Sequence, residues 1–257
     1  NMKNYFGANI TTSYGLLNSC RIATSLNINC LQIHYQSQDI SENDIKIIKK
    51  YIKDHDIFIV NHSSFKINLS RPLITNKKYV DIFINDLKIM NKIGSYGSIL
   101  HMGKKLNLDT DTAIKNMVDS VIYIYENTKN LKSKILIENS AGEGTALYKL
   151  EDMYTFFNLL PENVKNNVEF VIDTCHAFVA GYDLRNKKNI KKFFNDFDKY
   201  FGLNKLACIH LNDSKDTLNS KKDRHENLFL GHIGKNNIGL IEIIKFAYKH
   251  KIPSILE

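Results

Sequence analysis

Short apolar runs of strand length alternate with longer amphipathic segments from one end of the chain to the other, and this alternation limits the fold more than any other feature. Strands are expected at 5–8, 30–34, 58–61, 98–101, 135–138, 169–173, 206–211 and 254–257. Helices are expected at about 14–26, 42–55, 77–93, 112–128, 150–160, 190–201 and 238–250, with Ser41 as N-cap of the second. Eight strands with seven intervening helices is the count of an α/β protein of the (β/α)8 TIM-barrel type whose final helix is missing or truncated. A doubly wound open sheet would need a Gly-rich phosphate loop after an early strand, and "GANITTSYG" lacks the GxGxxG spacing. With 257 residues, sparse Gly and Pro, no internal repeat and no linker, one barrel domain spanning 1–257 is expected.

Composition narrows the class further. Hydrophobic residues at 43% and charged residues at 24% describe a globular protein and exclude a disordered one. No apolar run approaches the roughly 18–20 residues of a membrane span, so no membrane association is expected. Four cysteines without CxxC spacing point to a reducing, intracellular setting, and the sequence leaves open whether Cys20 and Cys30 pair. The formal charge of +8 favours a polyanionic partner. Much of it, as at Lys46, Lys49, Lys50 and Lys53, is the charge of a solvated helix face, so charge alone does not identify nucleic acid.

The active site of such a barrel lies at the C-terminal ends of its strands and on the loops that follow. Those positions hold a biased set. His62 follows the third strand, His101 ends the fourth, Glu138 the fifth and Asp173 the sixth, with His176 just beyond. His210 lies near the end of the seventh, Asp223 and His225 lie in the loop after it, and Glu257 ends the eighth. A lone His at a strand end is usually a hydrogen-bonded structural group, and a lone Asp there is often a helix N-cap. Nine such groups on one rim are different, because buried carboxylates repel one another without a compensating cation. Imidazole nitrogen with carboxylate oxygen suits Zn2+ or Mn2+. A catalytic zinc takes about three protein ligands, so nine imply two or three ions, the arrangement used for in-line displacement at phosphorus. The residues therefore point to phosphoester hydrolysis.

Nearly the whole chain, from "FGANI" to "PSILE", resembles the endonuclease IV family of apurinic/apyrimidinic (AP) endonucleases. The most specific blocks are "IENSAGEG" (137–144), "IDTCHAFVAGYDL" (172–184), "IHLNDSK" (209–215) and "DRHENL" (223–228). The resemblance implies three zinc ions. His62, His101 and Glu138 would hold one, and Glu138 would bridge to a second completed by Asp173, His210 and Glu257. His176, Asp223 and His225 would hold the third. It also implies hydrolysis of the phosphodiester 5′ to abasic sites in double-stranded DNA, with Glu138 the central catalytic residue and 3′-blocked ends as further substrates. A monomer in a DNA-containing compartment (cytoplasm, nucleus, organelle or virus factory) would fit.

A missing base offers no edge to read, so recognition by shape and extrusion of the abasic nucleotide is expected. Phe65, where the family usually has Tyr, Gln38 and Arg224 are candidate DNA contacts, with core packing the competing account of Phe65. Asp39 lies where the family often carries a basic wedge, and Met102 replaces a usual Pro. Two other functions share parts of this pattern. A xylose-isomerase-like sugar isomerase or epimerase would use Glu138, Asp173, His210 and Glu257 but leave His176, Asp223 and His225 without metal. A damaged-DNA-binding barrel that does not cut would ordinarily have lost part of the ligand set.

Overall fold

The computed structural model of the chain describes residues 3–36 and 40–257. Eight parallel strands close into a barrel. They are β1 (Phe6–Asn9), β2 (Cys30–Ile33), β3 (Phe58–His62), β4 (Gly97–His101), β5 (Lys134–Glu138), β6 (Val168–Asp173), β7 (Leu206–His210) and, last in the chain, β10 (Ser254–Leu256). β10 closes the barrel by pairing with both β7 and β1. A two-stranded antiparallel hairpin of β8 (Asp213–Ser214) and β9 (His225–Glu226) stands on the rim.

Helices α1 (Leu16–Ser25), α2 (Glu42–Asp54), α3 (Leu73–Ile93), α4 (Thr110–Thr128), α5 (Leu150–Leu159), α8 (Lys187–Phe201) and α9 (Gly239–His250) connect the strands. Ser41 caps α2 by accepting from the backbone N–H of Asp44, as the sequence suggested. α3 begins four residues earlier than expected, directly after Pro72. Two short helices were not expected: α6 (Glu162–Lys165) and α7 (Thr174–Val179). None of the described helices is long and apolar enough to cross a membrane. All four cysteines are free thiols and buried, so Cys20 and Cys30 are not paired.

The alternation of side chains along a strand, with a period of two, sorts the barrel's residues. Cys30, Val60, Ile99, Leu136, Val171, Cys208 and Ile255 point inward and pack into one plug. Their neighbours Leu31, Ile59, Leu100, Ile135, Ile137, Ile172 and Ile209 point outward and pack under the helices. Two residues beyond each plug residue, on the same inward face, stand Gln32, His62, His101, Glu138, Asp173, His210 and Glu257. The apolar plug thus forms the floor on which a ring of polar groups sits.

Candidate metal centre

Glu138 sits at the middle of this ring and is almost fully buried. Its Oε2 lies 3.2 Å from His62 Nε2 and 3.4 Å from His101 Nε2. The two imidazole nitrogens are themselves 3.1 Å apart. His62 Nδ1 donates to the carbonyl of Ser63 at 3.0 Å, which turns Nε2 towards the other two groups. Burial holds the pKa of His101 down at about 4, so its ring is neutral at pH 7.

The other oxygen of Glu138 faces the opposite half of the ring. Oε1 lies 3.3 Å from His210 Nδ1 and 3.2 Å from His176 Nδ1. His210 Nδ1 is also 3.3 Å from Glu257 Oε2. The far nitrogen of His210 donates to Gln32 Oε1 at 2.7 Å, and Gln32 Nε2 donates to Glu257 Oε1 at 2.6 Å. Asn212 donates from one amide nitrogen to Asp173 Oδ2 at 2.7 Å and to Glu257 Oε2 at 2.9 Å. Gln32 and Asn212, which sequence reading missed, therefore orient three of the nine candidate residues.

Asp173 joins the barrel to the third group. Its Oδ1 accepts from the backbone N–H of His176 at 2.9 Å and so caps α7. The N-cap and the functional reading of this aspartate hold together, because Oδ2 meanwhile points into the ring, 3.5 Å from His225 Nε2. The one-and-a-half turns of α7 carry His176 inward. His176 Nδ1 donates to the carbonyl of Asn139 at 2.9 Å, turning Nε2 towards Asp223 Oδ2 at 3.1 Å. Asp223 Oδ1 is 3.2 Å from His225 Nε2. The hairpin brings His225 in by pairing it with Ser214, four residues after His210.

The nine candidates thus converge. Ligand atoms of His62, His101 and Glu138 lie within 4.8 Å of one another, as do those of Asp173, His210 and Glu257, and those of His176, Asp223 and His225. The electrostatics are those of a site built around positive charge. Burial raises the pKa of Asp173, with Glu138 and Glu257 adding to the effect against His176 and His225. Burial opposes ionisation of Glu138 as well, yet His101 and His210 hold its carboxyl well below the usual range. Two buried imidazole nitrogens, His210 Nδ1 and His225 Nε2, have no hydrogen-bond partner among the described residues. Buried polar atoms of that kind are rare and costly. Each faces carboxylate oxygens, and a cation between them would satisfy both. The donor set of imidazole nitrogen and carboxylate oxygen fits Zn2+. One thiol also comes close, since Cys175 forms a further trio with Asp173 and His225. Burial, then Asp173, pushes its pKa up to about 12, so it stays a thiol.

The candidate DNA contacts fare unequally. Phe65 is 78% exposed, which rules out core packing, and its ring stacks on His101 with centroids 5.5 Å apart. It stands at the mouth of a pocket of about 370 Å³ whose walls include His101, His176, Asp223, Lys104 and Leu106. Arg224 is exposed, but its guanidinium is gripped at 2.7 and 2.6 Å by the two oxygens of Asp216. Gln38 and Asp39 lie outside the described residues.

Known proteins share both sequence and shape with the chain. The sequence model of the xylose isomerase-like TIM barrels matches residues 20–255. A protein of Acanthamoeba polyphaga mimivirus described as an endonuclease 4 is 34% identical over 270 residues, covering 100% of this chain and 86% of its own length. One from Thermosipho africanus with the same description is 38% identical over 223 residues, covering 84% of this chain and 76% of its own. The crystal structure of endonuclease IV from Thermus thermophilus superposes with a TM-score of 0.83 at 22% identity, over 98% of this chain and 91% of that one. By its fold, its rim and these relatives, the chain belongs to the endonuclease IV family of xylose isomerase-like TIM barrels.

Proposed function

We propose that the protein is a zinc-dependent AP endonuclease of DNA base-excision repair. It hydrolyses the phosphodiester 5′ to an abasic site in double-stranded DNA, leaving a 3′-hydroxyl and a 5′-deoxyribose phosphate, and clears 3′-blocked ends. The observation that carries this reading is the arrangement around Glu138, whose two oxygens face imidazoles from β3 and β4 on one side and from α7 and β7 on the other. His62, His101 and Glu138 would hold one zinc, Glu138, Asp173, His210 and Glu257 a second, and His176, Asp223 and His225 a third. Zinc supplies Lewis acidity and activates water at neutral pH, with Mn2+ a substitute.

The chain's own part is to orient and to exclude. Glu138 links the groups on either side of it, so that one side chain sets the spacing of the whole centre. Gln32, Asn139 and Ser63 each hold one ring nitrogen of His210, His176 and His62 as a donor, so that the other nitrogen faces inward as the atom that would bind metal. Phe65 offers a flat apolar face beside the pocket of about 370 Å³, where an extruded abasic sugar would be held. Its company of Lys104 and Arg71 at the same pocket favours a phosphate-bearing ligand over a neutral sugar.

The direct test is incubation of zinc-loaded protein with a duplex carrying a single tetrahydrofuran abasic analogue. A nick ending in a 3′-hydroxyl is expected, and Glu138→Gln should abolish it. Binding without a nick would point to a damage-binding barrel. Fewer than two zincs per chain, with no nick, would point to a sugar isomerase.

A further inference from the structure

The loop joining β9 to α9 is built more tightly than an exposed connection requires. Asp213, fully buried, accepts hydrogen bonds from the backbone N–H groups of Ser214 (2.8 Å), Gly231 (3.1 Å), Ile233 (2.9 Å) and Gly234 (3.1 Å). A Cβ added at Gly231 or Gly234 would lie 2.5 or 2.7 Å from that carboxylate, so both glycines are dictated by close approach. Just before them the chain passes through Phe229 at φ +68°. This is the left-handed region, which a phenylalanine occupies at a cost that glycine does not carry. The strain does not serve burial, because Phe229 is 44% and Leu230 63% exposed. Strained backbone fixed by its surroundings is a mark of functional segments.

Beside Leu230 opens a pocket of about 330 Å³ whose walls include Arg185, Lys215, His232, Lys235 and Glu226. Asp183 already grips Arg185 through two contacts of 2.7 and 2.9 Å. Glu226 accepts from the backbone N–H of Asn227 at 2.9 Å. Lys215, His232 and Lys235 form no ion pair with any of the described residues. The pocket is joined to the metal centre by the hairpin, since Ser214 pairs with His225 and Glu226 follows it. Two lysines without ion-pair partners among the described residues, next to exposed apolar side chains, match the chemistry of a nucleic-acid backbone, which alternates phosphate with deoxyribose.

We propose that this loop is a second DNA-contact element, separate from Phe65. Lys215, His232 and Lys235 take backbone phosphate of the duplex flanking the incision site, and Phe229 and Leu230 pack against the neighbouring deoxyribose. The inference rests on the AP-endonuclease reading and deepens it by adding a positioning surface. Asp213 holds the loop in shape before DNA arrives, so little ordering cost falls on binding.

The test uses zinc-loaded protein and a duplex whose tetrahydrofuran site carries a methylphosphonate at the linkage to be cut. Affinity is measured across a salt series. The double variant Lys215→Gln, Lys235→Gln is expected to bind about tenfold more weakly and to reduce the slope of log affinity against log salt by about 1 to 2. Lys49→Gln, Lys53→Gln removes the same charge from the exposed outer side of α2 and should leave the slope unaltered. Phe229→Gly removes ring and strain together. It should weaken binding several-fold without lowering the midpoint of thermal unfolding. Wild-type affinity and slope in the Lys215/Lys235 and Phe229 variants, with the parent protein binding and nicking normally, would overturn this inference alone. An equal loss of slope in the α2 control would overturn it too. A parent protein that neither binds nor nicks abasic duplex would overturn the underlying reading as well.

Discussion

His210 donates its Nε2 proton to Gln32 Oε1 at 2.7 Å, and this one bond decides what the ring can do on its other side. Gln32 Oε1 accepts only, so Nε2 keeps its proton and Nδ1, which faces Glu138 and Glu257, is the nitrogen left to give up a proton to an incoming metal. Substituting Gln32→Leu removes this bond and the one to Glu257 together. Loss of such a supporting bond typically weakens a metal site by about 10–100-fold. Elemental analysis after dialysis against chelators of graded strength should find less zinc in the variant. Equal retention would contradict the assignment.

Metal uptake should release protons. Burial opposes protonation of His210, but Glu257 and Glu138 outweigh it and push the pKa up to about 9 in the metal-free protein. Burial likewise opposes protonation of His176, and Asp173, Asp223 and Glu138 raise its pKa well above the ordinary value. Both rings therefore carry a proton at pH 7 that a metal must displace, so affinity should climb as pH rises towards about 9. His101, held at about 4, contributes no release. Calorimetric titration of metal-free protein in two buffers of different ionisation heat measures the proton count, and identical heats at pH 7 would count against it.

Phe65 stacks on His101 while remaining mostly exposed, so its contribution should be to substrate and not to the fold. Phe65→Ala should change stability by no more than about 0.5 kcal/mol. Loss of an aromatic stacking face should cost about 1–3 kcal/mol of affinity for abasic duplex. Steady-state kinetics with a denaturant titration separate the two. A large fall in stability with unchanged KM would reverse the reading.

Leu136 lies in the plug directly beneath Glu138 and is fully buried. Leu136→Ala should destabilise the protein by about 2–5 kcal/mol through lost burial and the cavity left behind. The midpoint of urea unfolding reports it, and a shift worth less than about 1 kcal/mol would mean that the plug collapses to fill the space.

The eight strands were legible because a parallel barrel strand is buried on both faces and so reads as a short apolar run between amphipathic segments. All nine candidate residues reach one rim because strand ends in a parallel barrel, and the loops that follow them, share a face. What sequence reading missed has identifiable causes. α7 is six residues long and buried on every side, so it has no amphipathic pattern, although it delivers His176. The β8–β9 hairpin pairs only two residues from each strand. Gln32 was overlooked because it is neutral, yet stepping two residues from Cys30 puts it on the same inward face as the ring. Arg224 looked like a DNA contact because its partner Asp216, eight residues away, is set by the hairpin and not by local spacing.

Seven strands each contribute one apolar residue to the plug and, two positions later, one polar residue to the ring. At about 3.3 Å per residue the two layers stand roughly 7 Å apart. Selection can therefore act on them separately. A lineage that rewrites the upper position of a strand alters its reactivity without reopening the packing below, and one that retunes heat tolerance in the plug leaves its chemistry in place. Descent from a common barrel can then yield dissimilar enzymes one inward-facing position at a time.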